Sequence, residues 1–179
     1  LKNMGHDLET IKEMVSDKTR LIFLDNPNNP TATAILPKDL YPFLSQIPEH
    51  VIVALDEAYI DFVDESFRVD TFSLINNHER RCGVVFLRTF SKAYGLAGVR
   101  VGYGLMHAEL AAQLHKVRQP FNINQLGLVG AEAALGDHEF YQRTLAAVAE
   151  GKRVLMDGVA ELGCSAYPSQ TNFFLIDVN

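Results

Sequence analysis

The chain has 179 residues, 47% of them hydrophobic and 21% charged, with a formal net charge of −6, the proportions of an ordinary globular protein. The acidic balance excludes a broad basic surface for nucleic acid, and no apolar run reaches the length of a membrane span. Two distant cysteines, Cys82 and Cys164, and six scattered histidines without HxH or HExxH spacing imply free thiols in a reducing compartment and no metal centre.

The opening LKNMGHDLET has no hydrophobic leader and no initiator methionine, so the expectation is a piece cut from a longer chain. Leu8, Ile11, Met14 and Val15 then recur at helical spacing. RLIFLDN (20–26) is a short apolar run closed by polar residues, which predicts a strand buried on both faces. Pro37 opens a helical stretch, PKDLYPFLSQI, in the position where proline suits a first turn. VIVALDEAY (51–59) predicts a second buried strand, residues 71–77 a short helix, and GVVFLRT (83–89) a third strand.

GVRVGYGLM (98–106) reads as a further strand whose glycines admit another backbone closely. From His107 the pattern turns helical, breaks at Gln119–Pro120, resumes in NQLGLVGAEAALG, and continues as a long helix over about 138–162 that Gly163 would cap. CSAYPSQTNFFLIDVN predicts two short strands. Alternating strands and helices imply an α/β fold with a mainly parallel sheet flanked by helices. The division expected is a partial large domain over 1–136, then a linking helix and the start of a smaller α+β domain over 137–179.

Ligands of open parallel sheets bind beyond the carboxyl ends of the strands, and here those ends carry the polar groups. The first strand runs into DNPNNPT, the second into Asp56 and Tyr59, the third into Thr89, Ser91 and Lys92. Each has a plainer reading taken singly: NPNNPT as a turn, Asp56 as a cap, Tyr59 as a core ring, Arg100 as a salt-bridge partner. Their convergence on one edge, beside a segment with four glycines (Gly95, Gly98, Gly102, Gly104), points to a site.

TFSKAYGLAGVRVGY resembles the lysine segment of the fold type I, pyridoxal-phosphate-dependent aminotransferases, and NPNNPT followed by DEAY is similar to that family's two preceding signatures. RQPFNIN and YPSQTNFFL resemble more narrowly the histidinol-phosphate aminotransferase branch. The resemblance implies pyridoxal 5′-phosphate as cofactor, with Lys92 the amine that bonds its aldehyde and later moves a proton. It implies Asp56 as the carboxylate that keeps the ring nitrogen protonated, and Asn29 and Tyr59 as donors to the ring oxygen. Thr89, Ser91 and Arg100 would hold the phosphate.

The implied reaction is amino transfer between L-histidinol phosphate and 2-oxoglutarate in histidine biosynthesis, by a cytoplasmic homodimer, with this piece incomplete by itself. A threonine-phosphate decarboxylase on the same scaffold, another class I/II aminotransferase, and a non-catalytic binding or assembly module are the alternatives. One departure is Ala32, where the family usually has glycine after NNPT; a positive φ there would strain alanine. Asn29–Pro30 is a plausible cis peptide.

Overall fold

The computed structural model describes residues 4–76 and 83–178; Cys82 therefore lies outside the described residues, and Cys164 is a half-buried free thiol. Its main sheet has the strand order β1 (Leu21–Asp25), β2 (Ile52–Asp56), β3 (Gly83–Thr89), β4 (Gly102–Met106). The first three strands are parallel and β4 runs antiparallel to β3. The helices α1 (Leu8–Glu13), α2 (Pro37–Gln46) and α3 (Thr71–Asn76) surround the first three strands in sequence. After β4 come α4 (Ala108–Val117), α5 (Gln125–Gly136) and the 24-residue α6 (His138–Glu161). A two-residue pair, β5 (Ser165–Ala166) with β6 (Ile176–Asp177), closes the chain. The expected α/β architecture is the observed one.

The main core lies on one face of the sheet. Ile22 and Leu24, Val53 and Leu55, and Val84 and Phe86 alternate along three strands and meet Leu40, Phe43 and Leu44 of α2 and Leu74 of α3. Two-residue periodicity sends the intervening side chains to the other face. For β1 that face is open: Leu21 and Phe23 are each 57% exposed. Burial on both faces, expected from the apolar run, does not hold for this strand, because β1 is an outer strand of the described sheet with helices against one side only. A second cluster joins Phe90, Val101 and Ala131 and brings α5 against the segment that follows the third strand.

Gly163 has φ +78 just past α6, the left-handed exit that glycine permits. Gly102, the first residue of β4, shows why glycine is required there: a Cβ would lie 2.7 Å from the Arg88 carbonyl oxygen. Among the described residues no helix is long and apolar enough to cross a membrane.

Candidate active site

Because β1, β2 and β3 are parallel, Asp25, Asp56 and Thr89 end at one edge of the sheet, with Asp25 opposite Asp56 and Asp56 opposite Leu87. β4 returns from that same edge, Gly102 pairing with Thr89. The antiparallel return is what sets Arg100, two residues before β4, beside residues from the ends of parallel strands. A cleft of about 490 Å³ opens there, lined by Asp56, Leu87, Thr89, Ser91, Lys92 and Arg100 among others. Five of the seven predicted site residues thus line one cavity, within the size range of small-molecule sites.

The other two adjoin it. Lys92 Nζ lies 4.8 Å from the centre of the Tyr59 ring, and Asn29 Nδ2 donates to the Tyr59 hydroxyl at 3.0 Å. A hydroxyl that accepts from Asn29 keeps its own O–H for a further acceptor. Tyr59 is almost wholly buried, and Phe173 meets its ring edge-on at 5.2 Å between centroids.

The NPNNPT segment explains why Asn29 alone of its asparagines is available. The Asn26 side chain accepts from Ile35 N at 2.7 Å, and Asn28 accepts from Thr31 N at 3.1 Å while donating to Asp25 at 2.9 Å. Both are buried and spend their polar groups on the turn. Asp25 also accepts from Asn29 N at 2.9 Å and contacts His6 Nε2 at 2.9 Å. Ala32 sits in the turn with φ +61 and no exposure, and both Asn26–Pro27 and Asn29–Pro30 are cis. The positive φ matches the place where glycine was the expected residue. The cis bond at Asn26–Pro27 was not anticipated.

The Thr89 hydroxyl accepts from Ser91 N at 3.0 Å and donates to Val101 O at 3.4 Å, so it shapes the turn leading to Lys92. Ser91 and Arg100 are then the freer donors. Arg100 has a left-handed backbone, φ 59, and spends one guanidinium N–H on Ala97 O at 2.7 Å. Its remaining donors suit a phosphate. Asn124, within the RQPFNIN motif, caps α5 by accepting from Gly127 N at 2.7 Å and donates to Val99 O at 2.8 Å. It fastens α5 to the residue next to Arg100.

Three groups escaped the sequence reading because they need register or tertiary contact. Arg88 Nε donates to Glu57 Oε2 at 2.7 Å, and Arg88 Nη2 to Thr71 Oγ1 at 3.0 Å. The Glu57 side chain has no exposed surface, and its Oε1 is a buried atom without a hydrogen-bond partner among the described residues. Burial pushes the Glu57 carboxyl above its usual range against the opposing pull of Arg88. For Arg88 burial works downward, but the charge and hydrogen bond of Glu57 outweigh it and hold the guanidinium charged. An unsatisfied buried acceptor costs about 1–3 kcal/mol. Further out, Tyr141 of α6 donates to Asp61 at 2.8 Å, and the Gln170 side chain both accepts from Asp64 N at 2.8 Å and donates to Asp64 Oδ2 at 2.7 Å.

The family model for aminotransferase class I and II matches residues 1–179. The chain belongs to the class I and II aminotransferases. Among curated members, the histidinol-phosphate aminotransferase of Desulfotalea psychrophila is 59% identical over 178 residues, covering 99% of this chain and 47% of that protein. Histidinol-phosphate aminotransferase 2 of Pasteurella multocida is 46% identical, covering 99% and 48%. This aminotransferase chain therefore spans about half the length of the curated relatives it matches. The crystal structure of the Sinorhizobium meliloti histidinol-phosphate aminotransferase, in complex with pyridoxal-5′-phosphate, superposes with a TM-score of 0.90 at 32% identity. It covers 98% of this chain and 47% of that one.

Proposed function

We propose that the full-length protein is a pyridoxal-phosphate-dependent aminotransferase that moves an amino group between L-histidinol phosphate and 2-oxoglutarate. The observation that carries the reading is the cleft in which Lys92, Asp56, Ser91, Thr89 and Arg100 come together from separate strand ends. The donor set fits the cofactor: a carboxylate for a ring nitrogen, an amine for an aldehyde, hydroxyls and a guanidinium for a phosphate. The identity with histidinol-phosphate aminotransferases supports the choice of substrate.

When bound, pyridoxal 5′-phosphate supplies an aldehyde for an amine to join and a ring that takes up electrons from a breaking substrate bond. Lys92 Nζ would hold the cofactor's aldehyde and would be the base placed to move a proton at the substrate's α-carbon. Asp56 keeps a proton on the ring nitrogen, since a nearby negative charge favours the cation. The Tyr59 O–H and the second Nδ2–H of Asn29 would be the donors to the ring oxygen. Ser91 and Arg100 bind the phosphate, with Thr89 chiefly holding Ser91 in place. On this reading residues 1–136 belong to the cofactor domain and 137–179 lead into a smaller one, and the full-length protein is a cytoplasmic homodimer.

The test is to add pyridoxal phosphate to the full-length protein, reduce with borohydride and locate the modified peptide. Modification of Lys92, together with amino transfer from histidinol phosphate but no carbon dioxide release from threonine phosphate, is the expected result. An unmodified Lys92 would end the catalytic reading. Modification with carbon dioxide release would instead favour the decarboxylase.

A further inference from the structure

Period-2 alternation divides the ends of β2 and β3 between two faces. Asp56, Leu87 and Thr89 all line the cleft, as does part of Arg88 between the last two, and Asp56 is directly opposite Leu87. Their neighbours Glu57 and Arg88 are joined by an ion pair, with Glu57 N also bonded to Leu87 O at 2.8 Å. Glu57 is adjacent in sequence to the cleft residue Asp56, and Arg88 sits in the cleft wall itself between Leu87 and Thr89 while its guanidinium reaches back to Glu57.

Arg88 is fixed at two points, Glu57 on β2 and Thr71 at the start of α3. Its planar fork meets both together, which an ammonium group cannot reproduce. Glu57 is fully enclosed and, among the described residues, leaves Oε1 without a partner. A buried pair with such a defect is weak support for stability, because apolar residues of similar volume would serve as well or better. What the pair does supply is a fixed spacing between two strand ends.

We propose that Glu57 and Arg88 are positioning residues that set the distance between the Asp56 carboxylate and the Thr89–Ser91–Arg100 group. A ligand with a ring nitrogen at one end and a phosphate at the other is then held at both ends without rearrangement. This rests on the cofactor reading above. The gain is specific to the joined ligand: holding two groups at the right separation adds affinity that neither fragment shows alone.

The experiment compares affinities of the full-length protein for pyridoxal phosphate, pyridoxal and inorganic phosphate, the last by competition with the cofactor. In Arg88→Lys, affinity for pyridoxal phosphate is expected to fall at least about tenfold, while those for the two fragments stay within about twofold. Thr71→Val, a milder change that removes one anchor of Arg88, is expected to move the same ratio in the same direction by about threefold. Glu57→Gln keeps an acceptor for Arg88 Nε and is expected to retain most of the wild-type ratio.

If all three affinities fall together, or if only the unfolding temperature falls while the ratio holds, the pair is structural and the inference is overturned. A wild-type protein that forms the Lys92 adduct with the ratio unmoved in the variants overturns the inference alone. A wild-type protein that forms no adduct overturns it together with the cofactor reading.

Discussion

The Asn29 amide donates to the Tyr59 hydroxyl across 3.0 Å, joining residues 30 positions apart in the chain. Neither residue lies on a strand, and each belongs to a loop that leaves the same edge of the sheet. The pair should act as a unit. Asn29→Ala and Tyr59→Phe are each expected to weaken turnover, and the double variant by less than the sum. A double-mutant cycle on the full-length protein should give a coupling of about 0.5–1.5 kcal/mol. Strict additivity would show that the bond contributes nothing to the site.

Arg100 combines a left-handed backbone with a guanidinium that has one N–H engaged by Ala97 O. Arg100→Lys keeps the charge and loses the fork, so affinity for pyridoxal phosphate should drop about tenfold or more, with pyridoxal unaffected. Titration of both ligands against the variant checks it. An equal loss for both would place Arg100 away from the phosphate.

The Tyr141–Asp61 hydrogen bond gives a pH signature. Burial raises the Asp61 carboxyl above the ordinary 3.8, against the hydrogen bond from Tyr141. A carboxyl raised in the folded state contributes stability that is present below its unfolded value and is lost as pH rises through the folded one. Wild type should therefore lose stability relative to Asp61→Asn as pH climbs from about 3.8. Burial, then the Asp61 charge and hydrogen bond, likewise raise the Tyr141 phenol above 10.0, so wild type should lose stability relative to Tyr141→Phe above that pH. Thermal unfolding across the pH range reads both differences, and flat differences would contradict them.

Ala32 is fully buried at φ +61. Glycine relieves a left-handed strain of about 1–2 kcal/mol but removes one buried methyl, about 0.8 kcal/mol. Ala32→Gly should leave stability unchanged or raise it by up to about 1 kcal/mol. A clear loss on chemical denaturation would mean that the methyl's packing outweighs the strain.

Much of this was readable from the sequence. GVVFLRT is bounded by Gly83 and Thr89, and those are the ends of β3, because an apolar run between polar segments leaves little freedom in where a buried strand begins. Lys92 and Asp56 were legible because parallel strands carry their carboxyl ends to one side whatever the details of packing, whereas Arg100 reaches them through the antiparallel return into β4 and was legible only through the motif it belongs to. The exposure of Leu21 and Phe23 was not legible, since an apolar run does not say how many faces are covered. Glu57 and Arg88 also escaped. Their meeting depends on the register between β2 and β3, and either charge taken alone looks like surface.

The described sheet ends in β1 on one side and β4 on the other, and β1 presents Leu21 and Phe23 to water. A ribbon with two unpaired borders, one flanked by bare hydrocarbon, offers a template for any strand that drifts near. Residues 1–179 prepared by themselves should accordingly stick to one another at concentrations where the longer relatives remain dispersed, and light scattering would register it. Mild denaturant or a charged replacement at Phe23 should suppress that clumping well before it unfolds the helices behind the sheet.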